Sequence, residues 1–328
     1  GLLLSGVGCG SSAPAAPPPP AVAAAVTTSP TAPLAPPPQV ADPALPFAFQ
    51  FTPTVYAGAA PVGDAGFAAL KRLGIQTIIS VDGMTPEVAR AEKFGLRYIH
   101  LPIRYSGVPV EREQEIAKAI LFLPGKTYIH CHHGKFRGAS ACAASCVVAG
   151  LISNEQALMD MQTMQTAQSY VGLWASARTA QPVPRAQLEA LQVAYKSVQP
   201  IPPLASTMVL IDHHHDALIE CQQAGWRIPT KNPDFDPPHE ALQVREFFRE
   251  LQRTVDFAGR PANFQQWTRD EETAAANLET KLDAWQAAKA LASAKPPAEI
   301  DAAFADMDRT CVACHKIYRN VPQKLAAR

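Results

Sequence analysis

Between residues 47 and 198, short apolar runs alternate with amphipathic stretches. Residues 55–58, 75–81, 96–101 and 127–130 read as strands, and 64–73, 86–94 and 111–122 as helices. Strand and helix in alternation predict an α/β domain whose central, mostly parallel sheet is covered by helices, with ligands at the C-terminal strand ends. After residues 199–203 the alternation stops. Residues 204–224, 238–257, 263–294 and 297–326 carry long helical patterns with Pro- or Gly-containing breaks between them, which predicts an all-α four-helix bundle over 199–328.

Composition adds a tether. Twelve of the 31 prolines fall between Pro14 and Pro46, so residues 10–46 are expected to be a disordered or extended linker rather than part of a core. Ahead of it, in residues 1–9, Leu2-Leu3-Leu4 runs into Ser5-Gly6-Val7-Gly8-Cys9 and looks like the tail of a lipoprotein signal, with Cys9 as the lipidation site. Gly6 stands where Leu or Val is usual. No later run of about 18 uninterrupted apolar residues follows, so membrane contact is expected only through Cys9. The 29 basic and 29 acidic side chains cancel, which removes any long-range electrostatic reason to expect nucleic acid.

Seven cysteines are an odd number without disulfide-like spacing, so each is read for its own chemistry. Cys131 lies in His130-Cys131-His132-His133-Gly134-Lys135-Phe136-Arg137-Gly138, where a strand turns through Gly134 into a small-residue helix. Such a turn aims successive backbone N–H groups at a phosphate, and Arg137 adds a two-pronged cation. The same field is expected to lower the Cys131 pKa and make it a thiolate nucleophile. A metal site built from His130, Cys131, His132 and His133 is the competing reading, but four adjacent ligands on a tight turn make a poor tetrahedral cage. Cys142 and Cys146 share one helix face and read as packing.

The spacing of Cys131 and Arg137, with the preceding His130 and the central Gly134, resembles the signature of cysteine-dependent protein tyrosine and dual-specificity phosphatases. The resemblance implies that Cys131 attacks phosphorus, that Arg137 holds the equatorial oxygens and that His130 tunes the thiolate. His132, His133, Gly134, Lys135, Phe136 and Arg137 become the phosphate-binding loop, and a phosphorylated substrate the partner. Two departures stand out. The loop 102–107 lacks the usual general-acid carboxylate, leaving Asp82 as the best substitute, a turn residue otherwise, with Glu111 and Glu113 behind it. Gly138 replaces a frequent Ser or Thr, a role that Ser140 could take over.

Near the C-terminus, Cys311-Val312-Ala313-Cys314-His315 is the attachment pattern for c-type haem: two thiols add to the vinyl groups and His315 reaches the iron. Read on to Arg319, it resembles the last helix of bundle cytochromes of the cytochrome c prime type. The resemblance implies covalent haem c on Cys311 and Cys314, His315 as axial ligand to iron, Arg319 near the proximal face, electron transfer or small-gas binding, a redox partner, and often a homodimer. Met208 is the first choice for the second axial position, with an open or apolar distal face as the alternative. Met208, Ile211, His215 and Leu218 share one stripe, and Met208 and His215 stand about 10.5 Å apart along it, so at most one of them touches iron. No nucleotide cofactor is expected. Maturation of such cytochromes outside the cytoplasmic membrane implies an exported, periplasmic, membrane-anchored protein.

Overall fold

The computed structural model describes Gly1 and residues 34–288 and 295–322. The lipidation site Cys9 and the linker up to residue 33 lie outside the described residues. Strands β1 (Ala48–Gln50), β2 (Val55–Ala59), β3 (Ile75–Ser80), β4 (Arg97–His100) and β5 (Lys126–Cys131) alternate with helices α1 (Gly63–Arg72), α2 (Val88–Lys93) and α3 (Val110–Phe122). They form one sheet in the order β1-β2-β5-β3-β4, parallel apart from the antiparallel edge pair β1–β2. The strand β5 therefore runs through the middle, and Cys131 ends it.

Alternation along the strands divides the core between two faces. Ile78, Tyr98 and Tyr128 point to one side, where Phe67 and Leu70 of α1 cover them. Ile79, Ile99 and Ile129 point to the other, under α4 (Arg137–Val148), α5 (Asn154–Thr163), α6 (Val171–Thr179) and the short α7 (Arg185–Ala190). All twelve residues of α4 are buried, which its Ala, Ser and Cys side chains make possible without overfilling the centre. Cys142 and Cys146 are packing residues within it.

The tether expected over residues 10–46 ends earlier than composition suggests. Within its last part Leu45 is only 3% exposed, Val40 donates its backbone N–H to Ala48 (2.8 Å), and Gln39 bridges Phe49. Pro-rich backbone is extended already, so a sheet edge can take it up without helix or core of its own.

Beyond α7 the chain passes the edge of β4, where His100 donates its N–H to Lys196 (2.9 Å), and enters a helical region. Its long helices are α8 (Pro203–Gln223), α9 (Pro237–Gln252), α11 (Ala262–Ala287) and α12 (Ala298–Tyr318), with a single turn, α10 (Val255–Ala258), after α9. The uninterrupted helix expected over 238–257 is broken because Thr254 caps a new start, accepting from the Phe257 N–H. Leu218, Trp226, Phe248, Leu278, Leu282, Ile300 and Phe304 share one core. Among the described residues no helix is long and apolar enough to cross a membrane.

Candidate active site

The loop from Cys131 to Arg137 is fixed by close backbone approaches. Gly134 has φ +76°, and a Cβ there would collide with the backbone of Gly58 and Ala59 on β2. The Ala60 N–H donates to the His132 carbonyl (3.0 Å) and the Thr166 hydroxyl to the Lys135 carbonyl (2.6 Å). Gly138 has its own reason to be glycine, since a Cβ would stand 2.8 Å from the Cys131 backbone nitrogen. Ser140 donates to the Leu173 carbonyl (2.9 Å) from a fully buried position, which commits its hydroxyl to the α4–α6 contact.

Cys131 is 2% exposed, and the backbone N–H groups of Phe136 and Gly138 favour the charged form of its sulfur. The expected lowering of its pKa is not what this arrangement gives. Burial pushes the thiol up and the Asp82 carboxylate adds to that, outweighing Arg137 and the two N–H groups. His130 is neutral, its pKa driven down to about 4, chiefly by burial. Its ring bridges the Tyr98 hydroxyl (2.6 Å) and the Cys131 carbonyl (3.3 Å), so it braces the end of β5 and holds no charge against the sulfur.

Arg137 donates Nη2 to Asp82 Oδ1 (3.1 Å), and its guanidinium lies 4.6 Å from the Tyr105 ring centroid. Its buried Nε and the second Asp82 oxygen have no hydrogen-bond partner. A buried unpaired donor beside a thiol is a group suited to hold an anion. Burial raises the Asp82 carboxyl, but the Arg137 guanidinium, helped by the Met84 N–H, outweighs it and holds the group below the usual carboxylate range. An ionised Asp82 cannot give a proton at neutral pH. It orients Arg137, and its proposed place as general acid is not supported by this pairing. Glu113 is buried on α3, and Glu111 is exposed.

The remaining loop side chains turn outward. Lys135 lies over the Phe47 ring (5.4 Å), and Phe136 packs edge-on to Tyr170 (5.0 Å). His132 and His133 reach across to Asp216 of α8 at 3.3 and 2.7 Å. The Asp216 contact raises the His132 pKa, so both imidazoles are engaged there in place of the phosphate expected from the sequence.

Around the C-terminal motif, Cys311 and Cys314 are free thiols one turn apart on α12, half-buried, with His315 beside them. Burial, then Arg319 and His215, drive His315 down to about 3, leaving the neutral imidazole that can bind a metal. Helices α8 and α12 run antiparallel in a clear register. Gln222 meets Asp301 (3.0 Å) and, seven residues on, His215 meets Asp308 (2.6 Å). Seven residues further along the same register are Met208 on α8 and His315 on α12. The Glu271 carboxyl sits beside Cys311, pushed up to about 8 by burial and without a well-formed hydrogen bond. Two free thiols one turn apart with a neutral imidazole beside them are the groups that covalent attachment of a haem would use. Arg319, whose charge acts on His315 and Cys314, also lies 4.4 Å from the Tyr105 centroid and donates to the Tyr170 hydroxyl (3.2 Å).

No family model matches the chain, and no curated protein matches it by sequence. Solved structures do. The N-terminal region is similar to TpbA of P. aeruginosa, with 23% identity over 43% of this chain and 89% of that one, at TM-score 0.38. It is similar to Tk-PTP in its active form, with 20% identity over 40% and 97% of the two chains, at TM-score 0.35. It is also similar to PTPMT1 in complex with PI(5)P, with 16% identity over 44% and 97%, at TM-score 0.33.

Sequence reading missed the residues that α8 contributes to the loop. Val209 overlies Gly83, Asp216 binds both loop histidines, and the Asp212 charge acts on Arg137 and His132. The run Asp212-His213-His214-His215-Asp216 is polar throughout, but nothing in one sequence says which distant loop it faces. Tyr105 and Tyr170 carried no motif at all.

Proposed function

We propose that the chain joins a cysteine-dependent phosphomonoester hydrolase to a c-type cytochrome built as a four-helix bundle. The observation that carries the hydrolase is the buried, unpaired Arg137 Nε beside a sulfur already met by the N–H groups of Phe136 and Gly138. In this reading the Cys131 thiolate attacks phosphorus and the phosphorus–oxygen bond to the leaving group breaks. Arg137 and the loop N–H groups hold the phosphoryl oxygens as charge builds on them. Water then cleaves the phosphorus–sulfur bond, releasing phosphate and restoring the thiol. With no carboxylate in loop 102–107 and Asp82 ionised, good leaving groups such as aryloxides are the favoured substrates. The test is hydrolysis of an aryl phosphate by wild type and Cys131→Ser. Release only by the wild type supports the reading, and equal rates overturn it.

For the second region, Cys311 and Cys314 would hold the haem, His315 would bind iron, and Met208 is the proposed second ligand, supported by the α8–α12 register. Bound there, the haem supplies one-electron redox chemistry or a gas-binding iron. A covalent haem band lost on Cys314→Ala tests the attachment. Such maturation favours an exported protein, anchored through Cys9.

A specific contact favours regulation of one site by the other. Both Arg137 of the phosphate loop and Arg319, four residues after His315, lie on the Tyr105 ring. A haem-dependent shift of the α12 end would reach Arg137 through that ring. Identical phosphatase rates in ferric and ferrous protein would rule this out.

A further inference from the structure

Two histidines of the phosphate loop and two aspartates of α8 converge at the junction of the two regions. The Nε2 atoms of His133 and His132 lie 2.7 and 3.3 Å from the same oxygen, Oδ2 of Asp216. His132, His133 and Asp212 each offer a ligand atom, and the three atoms lie within 4.8 Å of one another. Asp212 and Asp216 are one turn apart and share a face of α8. Neighbouring side chains on a strand diverge, but the turn at Gly134 folds the two imidazoles together, with ring centroids 4.5 Å apart. Ligand atoms around a tetrahedral ion at about 2.0–2.1 Å stand about 3.3 Å from each other, so His132, His133 and Asp212 need to draw in by no more than about 1.5 Å.

We propose that His132, His133, Asp212 and Asp216 form a binding site for a divalent transition-metal ion of the zinc type, with two ligands from the loop and two from the helix. Neutral imidazoles and two carboxylates give a nitrogen–oxygen donor set that balances the charge of such an ion. The four residues are half-buried, so the ion can reach them from solvent. Bound there, it replaces the His–Asp216 hydrogen bonds with bonds to metal and pins α8 beside the phosphate loop. The site does not depend on turnover at Cys131.

The test is zinc binding by the full chain, measured by equilibrium dialysis with elemental analysis and by zinc K-edge X-ray absorption. One ion per chain with nitrogen and oxygen donors is expected. His133→Asn and Asp212→Asn should each weaken it about 100-fold or more, because even outer partners of metal ligands are worth about 10–100-fold. No bound zinc, zinc held through sulfur alone, or undiminished binding in both variants would overturn the site. The two variants lie on different elements, so if one fails to fold the other decides.

Discussion

At the level of single residues, the phosphate loop is shaped by two opposing demands on Cys131. Burial and the Asp82 carboxylate favour the thiol, while Arg137 and two backbone N–H groups favour the thiolate. Because the first pair prevails in the free protein, kcat/KM for an aryl phosphate should climb from neutral toward alkaline pH. Asp82→Asn removes a negative charge from beside the sulfur and should move that climb to lower pH; an unmoved profile would separate Asp82 from the nucleophile. Gly138 makes a second demand. With a Cβ only 2.8 Å from the Cys131 nitrogen, Gly138→Ala should destabilise the fold by about 1–3 kcal/mol in urea unfolding, the usual range for overfilling a tight site. This explains why the hydroxyl residue common in similar loops is absent here. The spacing of Cys131 and Arg137 was legible in the sequence because it is local. The direction of the Cys131 shift was not, since it depends on Asp82, 49 positions away, and on burial.

Among the elements, helix α5 holds a carboxyl that works against the fold. Asp160 is fully buried, accepts from Gln156 Nε2 (2.6 Å) and leaves its other oxygen unpaired, and burial raises it to about 7. A carboxyl that resists ionisation in the folded state while ionising freely in the unfolded chain costs nothing below pH ~4. The cost grows as pH rises from the unfolded value of 3.8 and levels off above about 7. Asp160→Asn should therefore raise stability at pH 8 by on the order of 1–3 kcal/mol and change little at pH 4, measured by urea unfolding at both. Helix α12 carries a different expectation. If Met208 stands opposite His315, as the register of Gln222 with Asp301 and His215 with Asp308 implies, Met208→Ala should open the iron to CO where the wild type resists it. Sequence periodicity located every strand from β2 to β5 and the starts of the long helices within a residue or two, but carried the last two to 294 and 326 where they end at Ala287 and Tyr318. It missed β1 and the break before α10, because a three-residue edge strand and a capped single turn carry too short a pattern to register.

On the scale of the whole molecule, the helical region meets the α/β domain at the phosphate loop itself. His132 and His133 bind Asp216, Val209 overlies Gly83, and Arg319 stacks on the tyrosine that also carries Arg137. Arg319→Ala removes the contact linking the end of α12 to Tyr105. If the proposed haem is held on Cys311 and Cys314, the substitution should abolish any difference in phosphatase rate between oxidised and reduced protein while leaving the haem band in place. This meeting was not legible in the sequence, which shows two separable patterns and a proline-rich connection but no record of which surfaces face each other.

The hydrolase reading rests on Cys131 acting as a nucleophile toward phosphorus. The most direct measurement is rapid acid quench of the full chain during turnover of an aryl phosphate, followed by mass spectrometry of the peptide that contains Cys131. A phosphoryl adduct on Cys131 in the wild type, missing in Cys131→Ala, is the predicted result. Phosphate release at wild-type rate with no adduct, or an adduct that persists at another residue in Cys131→Ala, would contradict the account.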